Sequence, residues 1–213
     1  MAVTITLLLV VVTLGGGACA NFYQIAFPSP RLGYVYKMGN PNAPVHLEMF
    51  FDAQCSDAKL GYQAVFETAE YYGPDTLYLV MYGIPLPYHR GAFISHQALR
   101  AVDQLDSSRT VEYIHLLFEN QYRINGSPAN VSEAELFVIL TELATVLGIP
   151  EEDFVTEFGK PMTDVRCRFE MKMANTRGVY GSPWFFLNGM TVVEYFPVWT
   201  FDDWKAIIDP LLV

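Results

Sequence analysis

Strand-like sequence sits toward the two ends of this chain and helical sequence fills its middle. That order constrains the fold more than any other feature. Residues 45–51, VHLEMFF, alternate Val45, Leu47, Met49 and Phe51 against His46, Glu48 and Phe50, the period-two pattern of a strand. From residue 56 to 72 the apolar positions Leu60, Val65, Ala69 and Tyr72 return at helical steps, and Gly73-Pro74 stops the helix. Residues 77–82 are a second strand, nearly all apolar, broken by Gly83-Ile84-Pro85-Leu86-Pro87. Helical patterning then runs over residues 90–106 and 109–121. Ser132-Glu133-Ala134-Glu135 is a capping box for a helix reaching Leu147, and Pro150 and Pro161 open two more, the latter to about Arg177. Strand character returns only at residues 184–187 and 191–195, joined by the hairpin turn Asn188-Gly189, and Thr200 with Asp203 opens a last helix. The order β-α-β, helices, β-β-α implies an α/β fold with one sheet interrupted by a helical insertion. Such an insertion is tolerable because loop-closure entropy grows slowly with length.

Charge removes one class of partner. The net charge is −10 with no basic run, so a nucleic-acid backbone would be repelled. Residues 1–20 carry no charged side chain, and their apolar run, residues 5–14, is shorter than the roughly 20 residues a bilayer crossing needs. It ends in Ala18-Cys19-Ala20, an A-x-A cleavage pattern, so residues 1–20 read as a signal peptide, with no transmembrane span left once it is removed. The expected localisation is outside the cell or in the lumen of the secretory pathway. Two sequons, at Asn125 and Asn130, lie in one polar stretch and mark an exposed, glycosylatable loop; Pro128 makes Asn130 the better acceptor. Cleavage would take Cys19 with it and leave Cys55 and Cys167, too few for a disulfide scaffold.

Four stretches, in order, resemble the DsbA-like branch of the thioredoxin-fold superfamily. Gly39-Asn40-Pro41-Asn42-Ala43-Pro44-Val45 resembles the family's lead into its first central strand, and Phe50-Phe51-Asp52-Ala53-Gln54-Cys55 its approach to the redox motif. Pro85-Leu86-Pro87-Tyr88-His89 resembles its path into the helical insertion, and residues 178–189, GVYGSPWFFLNG, its cis-proline loop and following strand. The resemblance spans about residues 34–210. It implies a thioredoxin-like fold, a central mixed sheet flanked by helices, with an inserted helical domain. The expected parts are residues 21–90, the insertion at 91–160, and residues 161–213. It also makes Cys55 the nucleophile at a helix start, where unpaired N–H groups favour a thiolate, and Ser182-Pro183 the cis-proline pair facing an extended substrate. Independently, a cis bond costs little only before proline, so Pro183 is the one candidate in that loop.

Departures from the family pattern bear on the chemistry. In the motif Cys55-Ser56-Asp57-Ala58 the second cysteine is replaced by Ala58, so a mixed disulfide at Cys55 has no neighbouring thiol to resolve it. Met49 stands where the family often carries a buried acid; Glu48 beside it points to the other face. Ser56 replaces a frequent proline, and Asp57 puts a carboxylate near the sulfur, opposing a thiolate. A lone cysteine still supports isomerisation, because a client thiol can displace it. The reading is therefore monothiol disulfide exchange on a thiol-containing or extended polypeptide client. The alternative is a redox-inactive peptide-binding module, and a weaker third reading is a glutathione-using transferase. Cys167 would bridge to Cys55 only with Cα atoms within about 7 Å, and a packed or free thiol is the expectation. His46, His89, His96 and His115 show no metal spacing, so no metal is expected, and no cofactor apart from glutathione as a thiol partner. His89 and Arg90 could reach the cleft or simply start a helix. Tyr88, Trp184 and Phe185 could line a groove, with core packing expected for the last two.

Overall fold

The computed structural model describes residues 32–125, 131–192 and 199–213 of the 213-residue chain, all within one contact unit, Leu32–Val213. Residues 1–20 and Asn130 lie outside the described residues.

Among the described residues five strands form one mixed sheet. They are β1 (Tyr34–Val35), β2 (Val45–Phe51), β3 (Leu77–Gly83), β4 (Trp184–Leu187) and β5 (Met190–Thr191), in the order β1-β3-β2-β4-β5. Strands β2 and β3 run parallel; β1 on β3, β4 on β2 and β5 on β4 are antiparallel. The right-handed crossover such a parallel pair requires is supplied by α1 (Ser56–Tyr72). Alternation on β2 divides the core. Val45, Leu47, Met49 and Phe51 face the larger cluster, with Tyr62, Val65 and Phe66 of α1 and Trp204 of α8 (Phe201–Ile208). Phe50 faces a smaller cluster, with Ala174 of α7 (Pro161–Thr176), Val179 and Phe186. Each large apolar side chain fully buried here contributes about 1.5–3 kcal/mol relative to exposure.

Between β3 and α7 come α2 (Ala92–Leu105), α3 (Thr110–Glu119), α4 (Gln121–Ile124), α5 (Glu133–Val146) and α6 (Glu151–Phe158). The Ser132–Glu135 capping box forms as its spacing predicts. The single helix expected over residues 109–121 is instead two. Asn120 leaves helical geometry at φ −98°, ψ 17°, and its side-chain amide donates back to the Leu116 carbonyl at 2.8 Å. That break turns α4 so that Gln121 meets the loop after β2.

Candidate active site

Both central parallel strands end at the site, where an open α/β sheet leaves room for a ligand. After β2 the chain makes a tight turn: Gln54 N–H donates to Asp52 Oδ1 at 2.7 Å, and Cys55 N–H to the Asp52 carbonyl at 3.0 Å. Cys55 then caps α1 in extended conformation, with no side-chain bond to the helix. Its thiol donates instead to the Ser182 carbonyl at 3.2 Å. The Ser182–Pro183 bond is cis, and Ser182 Oγ accepts the Asp52 N–H at 2.7 Å. The structure thus brings Cys55, Ser182 and Pro183 together. Cys55 is 7 % exposed, while Ser56 and Asp57 are exposed and Ala58 is fully buried.

The turn is held from three sides. Asp52, fully buried, accepts from Leu86 N–H at 2.8 Å and lies 2.9 Å from His89 Nδ1, besides its bond to Gln54. A buried carboxylate costs several kcal/mol unless such donors replace its water. From α4, Gln121 Nε2 donates to the carbonyls of Ala53 at 2.9 Å and Cys55 at 2.8 Å. Asn125 Nδ2 reaches the Gln54 carbonyl at 3.1 Å. The Gln54 side chain accepts from Gly91 N–H at 2.8 Å and donates to the Ile124 carbonyl at 2.6 Å. Two glycines make room: a Cβ at Gly91 would strike Leu136 and the Gln54 amide, and one at Gly83 would strike the His96 ring. His96 is buried, accepts from Ala53 N–H at 3.4 Å, and burial lowers its pKa to about 4, so it is neutral.

Beside the turn opens a cleft of about 550 Å³, lined by Gln54, Tyr88, His89, Ile124, Asn125 and Leu136 among others. An apolar depression of about 450 Å³ at Ile94, Ala134, Phe137 and Phe158 adjoins it. Tyr88 is therefore at the cleft, whereas Phe185 is in the core and Trp184 packs against Tyr180. Glu48, on the far face of the sheet, forms a two-pronged bond at 2.6 Å with Arg177, whose guanidinium lies 3.9 Å from the Phe186 ring centre. Cys167 is a free thiol buried in α7. Among the described residues no group of three or more His, Cys, Asp or Glu side chains is placed to hold a metal, and no helix is long and apolar enough to cross a membrane.

The Asp52 turn could have been read from sequence, since an Asp commonly bonds its own backbone two residues on. Gln121 and His96 had no such local signal, because their partners are distant in sequence.

No curated protein matches the chain. Among solved structures it is similar to BdbD from Bacillus subtilis, at 18% identity and TM-score 0.66, covering 84% of this chain and 92% of that one. It is similar to the thiol-disulfide exchange protein alpha-DsbA2 from Wolbachia pipientis, at 15% identity and TM-score 0.65, covering 84% and 87%. A thioredoxin-like oxidoreductase from Silicibacter pomeroyi DSS-3 gives 18% identity and TM-score 0.62, covering 84% and 91%. These likenesses establish the DsbA-like fold, and a family profile described as thioredoxin matches residues 33–210, so the chain belongs to the thioredoxin family.

Proposed function

We propose that the protein carries out disulfide exchange and isomerisation at the single thiol of Cys55, on an extended polypeptide client in the secretory route. The observation that carries this reading is the contact between Cys55 Sγ and the Ser182 carbonyl, 3.2 Å, at the start of α1. The sulfur there meets main chain, and its neighbour Gln54 lines the adjoining cleft. In the reaction the Cys55 thiolate attacks one sulfur of a client disulfide, and the other client sulfur leaves as a thiolate. A second client thiol then attacks the mixed disulfide and regenerates Cys55, with no net oxidation. Ala58 offers no thiol for an internal release, so net reduction or oxidation is not the expected activity. Glutathione can serve as the releasing thiol. Residues 1–20 act as the signal peptide, and of the two sequon residues, Asn125 and Asn130, the latter is the glycosylated one where the host has that machinery, since Asn125 Nδ2 is bonded to the Gln54 carbonyl.

The test is reactivation of a protein with scrambled disulfides. Wild type accelerates it, Cys55→Ala does not, and iodoacetamide modifies Cys55 well below pH 8. A Cys55 thiol pKa at or above the free value of about 8.5 would defeat the reading. Client binding that survives Cys55→Ala unchanged would instead point to a binding module.

A further inference from the structure

The cis-proline loop carries an exposed aromatic ring that the exchange described above leaves unused. Tyr180 is 82% exposed, yet the main chain on both sides of it is fixed. Before it, Val179 is buried and its N–H donates to the Ala174 carbonyl at 3.0 Å; after it, Ser182 Oγ accepts the Asp52 N–H at 2.7 Å. The Tyr180 ring meets the Trp184 ring in a T-shaped contact, centres 4.6 Å apart, and Trp184 is itself placed by pairing with Phe50 of β2. A tyrosine presented in this way offers a flat face and has little freedom left to lose on binding. Single exposed apolar side chains are ordinary, and position sets this one apart. Two residues on, the Ser182 carbonyl lies 3.2 Å from Cys55 Sγ. Two residues of chain span at most about 7 Å, which keeps the Tyr180 main chain within about 13 Å of the sulfur. In an extended client, the residue two positions from its cysteine lies about 7 Å along the chain, and the two facing side chains span the remainder.

We propose that Tyr180 selects clients carrying an aromatic side chain roughly two residues from the attacked cysteine, a proposal that rests on the exchange reading above. The client ring packs on the part of Tyr180 that Trp184 leaves open, in the offset or edge-to-face geometry that aromatic pairs favour. The Gly181 and Ser182 N–H groups form no hydrogen bond with another described residue, so an extended client can run along this loop with its side chains at the two-residue period. In the covalent step the Cys55 thiol proton passes to solvent and the thiolate bonds to the client sulfur. The client's own S–S bond breaks, and its other half leaves as a thiolate that takes up a proton from solvent. The client disulfide is the oxidant. Tyr180 touches none of those bonds. It holds the client beside Cys55, and so acts on the concentration dependence of exchange and not on its saturated rate.

Peptides of one sequence frame supply the test. Each has a single cysteine, held as a mixed disulfide with mercaptoethanol, and carries Phe, Lys or Ser two positions from it on both sides. Initial rates of Cys55–peptide adduct formation are measured against peptide concentration for the full chain, read by mass on the fragment containing Cys55. The Phe peptide should half-saturate at about tenfold lower concentration than the Ser peptide, with similar saturated rates. Tyr180→Ser should bring the Phe peptide down to the level of the Ser peptide, and Tyr180→Phe should keep the preference. Equal losses for both peptides in Tyr180→Ser would mean that the ring only supports the loop. Wild type that does not discriminate would mean that the ring is idle, and a preference for the Lys peptide would make it a cation site. Each of these overturns the proposal and leaves the Cys55 reading standing. No adduct with any peptide would instead remove the Cys55 reading itself, and the proposal with it.

Discussion

Cys55 and Cys167 are both free and both largely enclosed, at 7 % and 2 % exposure, yet their surroundings are opposite. Cys55 stands at a helix start, where the first N–H groups have no intrahelical acceptor, and its contact is a main-chain carbonyl. Cys167 lies in mid-helix in a charged interior. Burial first, and then the Glu170 carboxylate, push its thiol well above the ordinary range. Glu170 is itself fully buried. It ties Gly33 N–H at 3.1 Å and Gly83 N–H at 3.0 Å to Arg100, whose guanidinium also holds Asp103 at 2.8 Å and lies 4.2 Å from the Tyr34 ring centre. Near-equal burial therefore says little about a thiol. One sulfur sits at a helix start against a main-chain carbonyl, the other inside a network that fastens α2 and α7 to the sheet.

The largest expected difference is all-or-none. In protein from which residues 1–20, and with them Cys19, have been removed, iodoacetamide under native conditions should modify Cys55 alone, so Cys55→Ala abolishes labelling and Cys167→Ala leaves it unchanged, read by intact mass. Native labelling at Cys167 would break the contrast. Next comes Arg100→Ala, which strands the buried Glu170 carboxylate and should cost about 3–5 kcal/mol in urea unfolding. It should also admit reagent to Cys167. The paired change Arg100→Met with Glu170→Met should lose less than Arg100→Ala alone, because no charge is left without a partner. A loss well under 1 kcal/mol for Arg100→Ala would show that the network is not what seals Cys167.

Much of this contrast was legible beforehand, for a definable reason. The strand alternation of residues 45–51, the capping box at Ser132 and the break at Gly73-Pro74 are local signals, and they placed the β2–α1 junction and hence Cys55. The cis Ser182–Pro183 bond fell where proline alone allows it at small cost. The helix of Cys167 carries two apolar stripes, Cys167-Met171-Ala174 and Met162-Val165-Phe169-Met173, and periodicity alone does not say which packs inside. The Arg100–Glu170 pair, and the bonds from Gln121 and His96 to the turn, join residues far apart in sequence, and no period or spacing announces them. Asn120 breaks the helix expected over residues 109–121 with a single side-chain bond, too small a signal to outweigh the apolar periodicity around it.

The Cys55 side should also be the acid-sensitive side. His96 titrates at about 4 in the folded protein, below an unfolded value near 6.5. The unfolded chain therefore binds the extra proton first, and stability falls as pH drops from 6.5 toward 4. The full difference is on the order of 3 kcal/mol, fully lost only below the folded value. His96→Gln should flatten that part of the curve of unfolding free energy against pH, whatever it does to absolute stability. An unchanged slope would mean that other groups set the acid limit.

The smallest effect should be the most local. Gln121→Leu removes the one amide that serves the Ala53 and Cys55 carbonyls. Cys55 O retains the Lys59 N–H at 3.1 Å, so the main cost is a donor lost at Ala53, about 1–2 kcal/mol. A loosened turn moves Cys55 off the Ser182 carbonyl more often, so its alkylation should quicken, while Cys167, across the sheet from this clamp, stays silent. Faster labelling of both thiols would indicate general loosening and erase the distinction. Faster labelling of Cys55 alone would show that the helical insertion, through one glutamine, sets how open the nucleophile is.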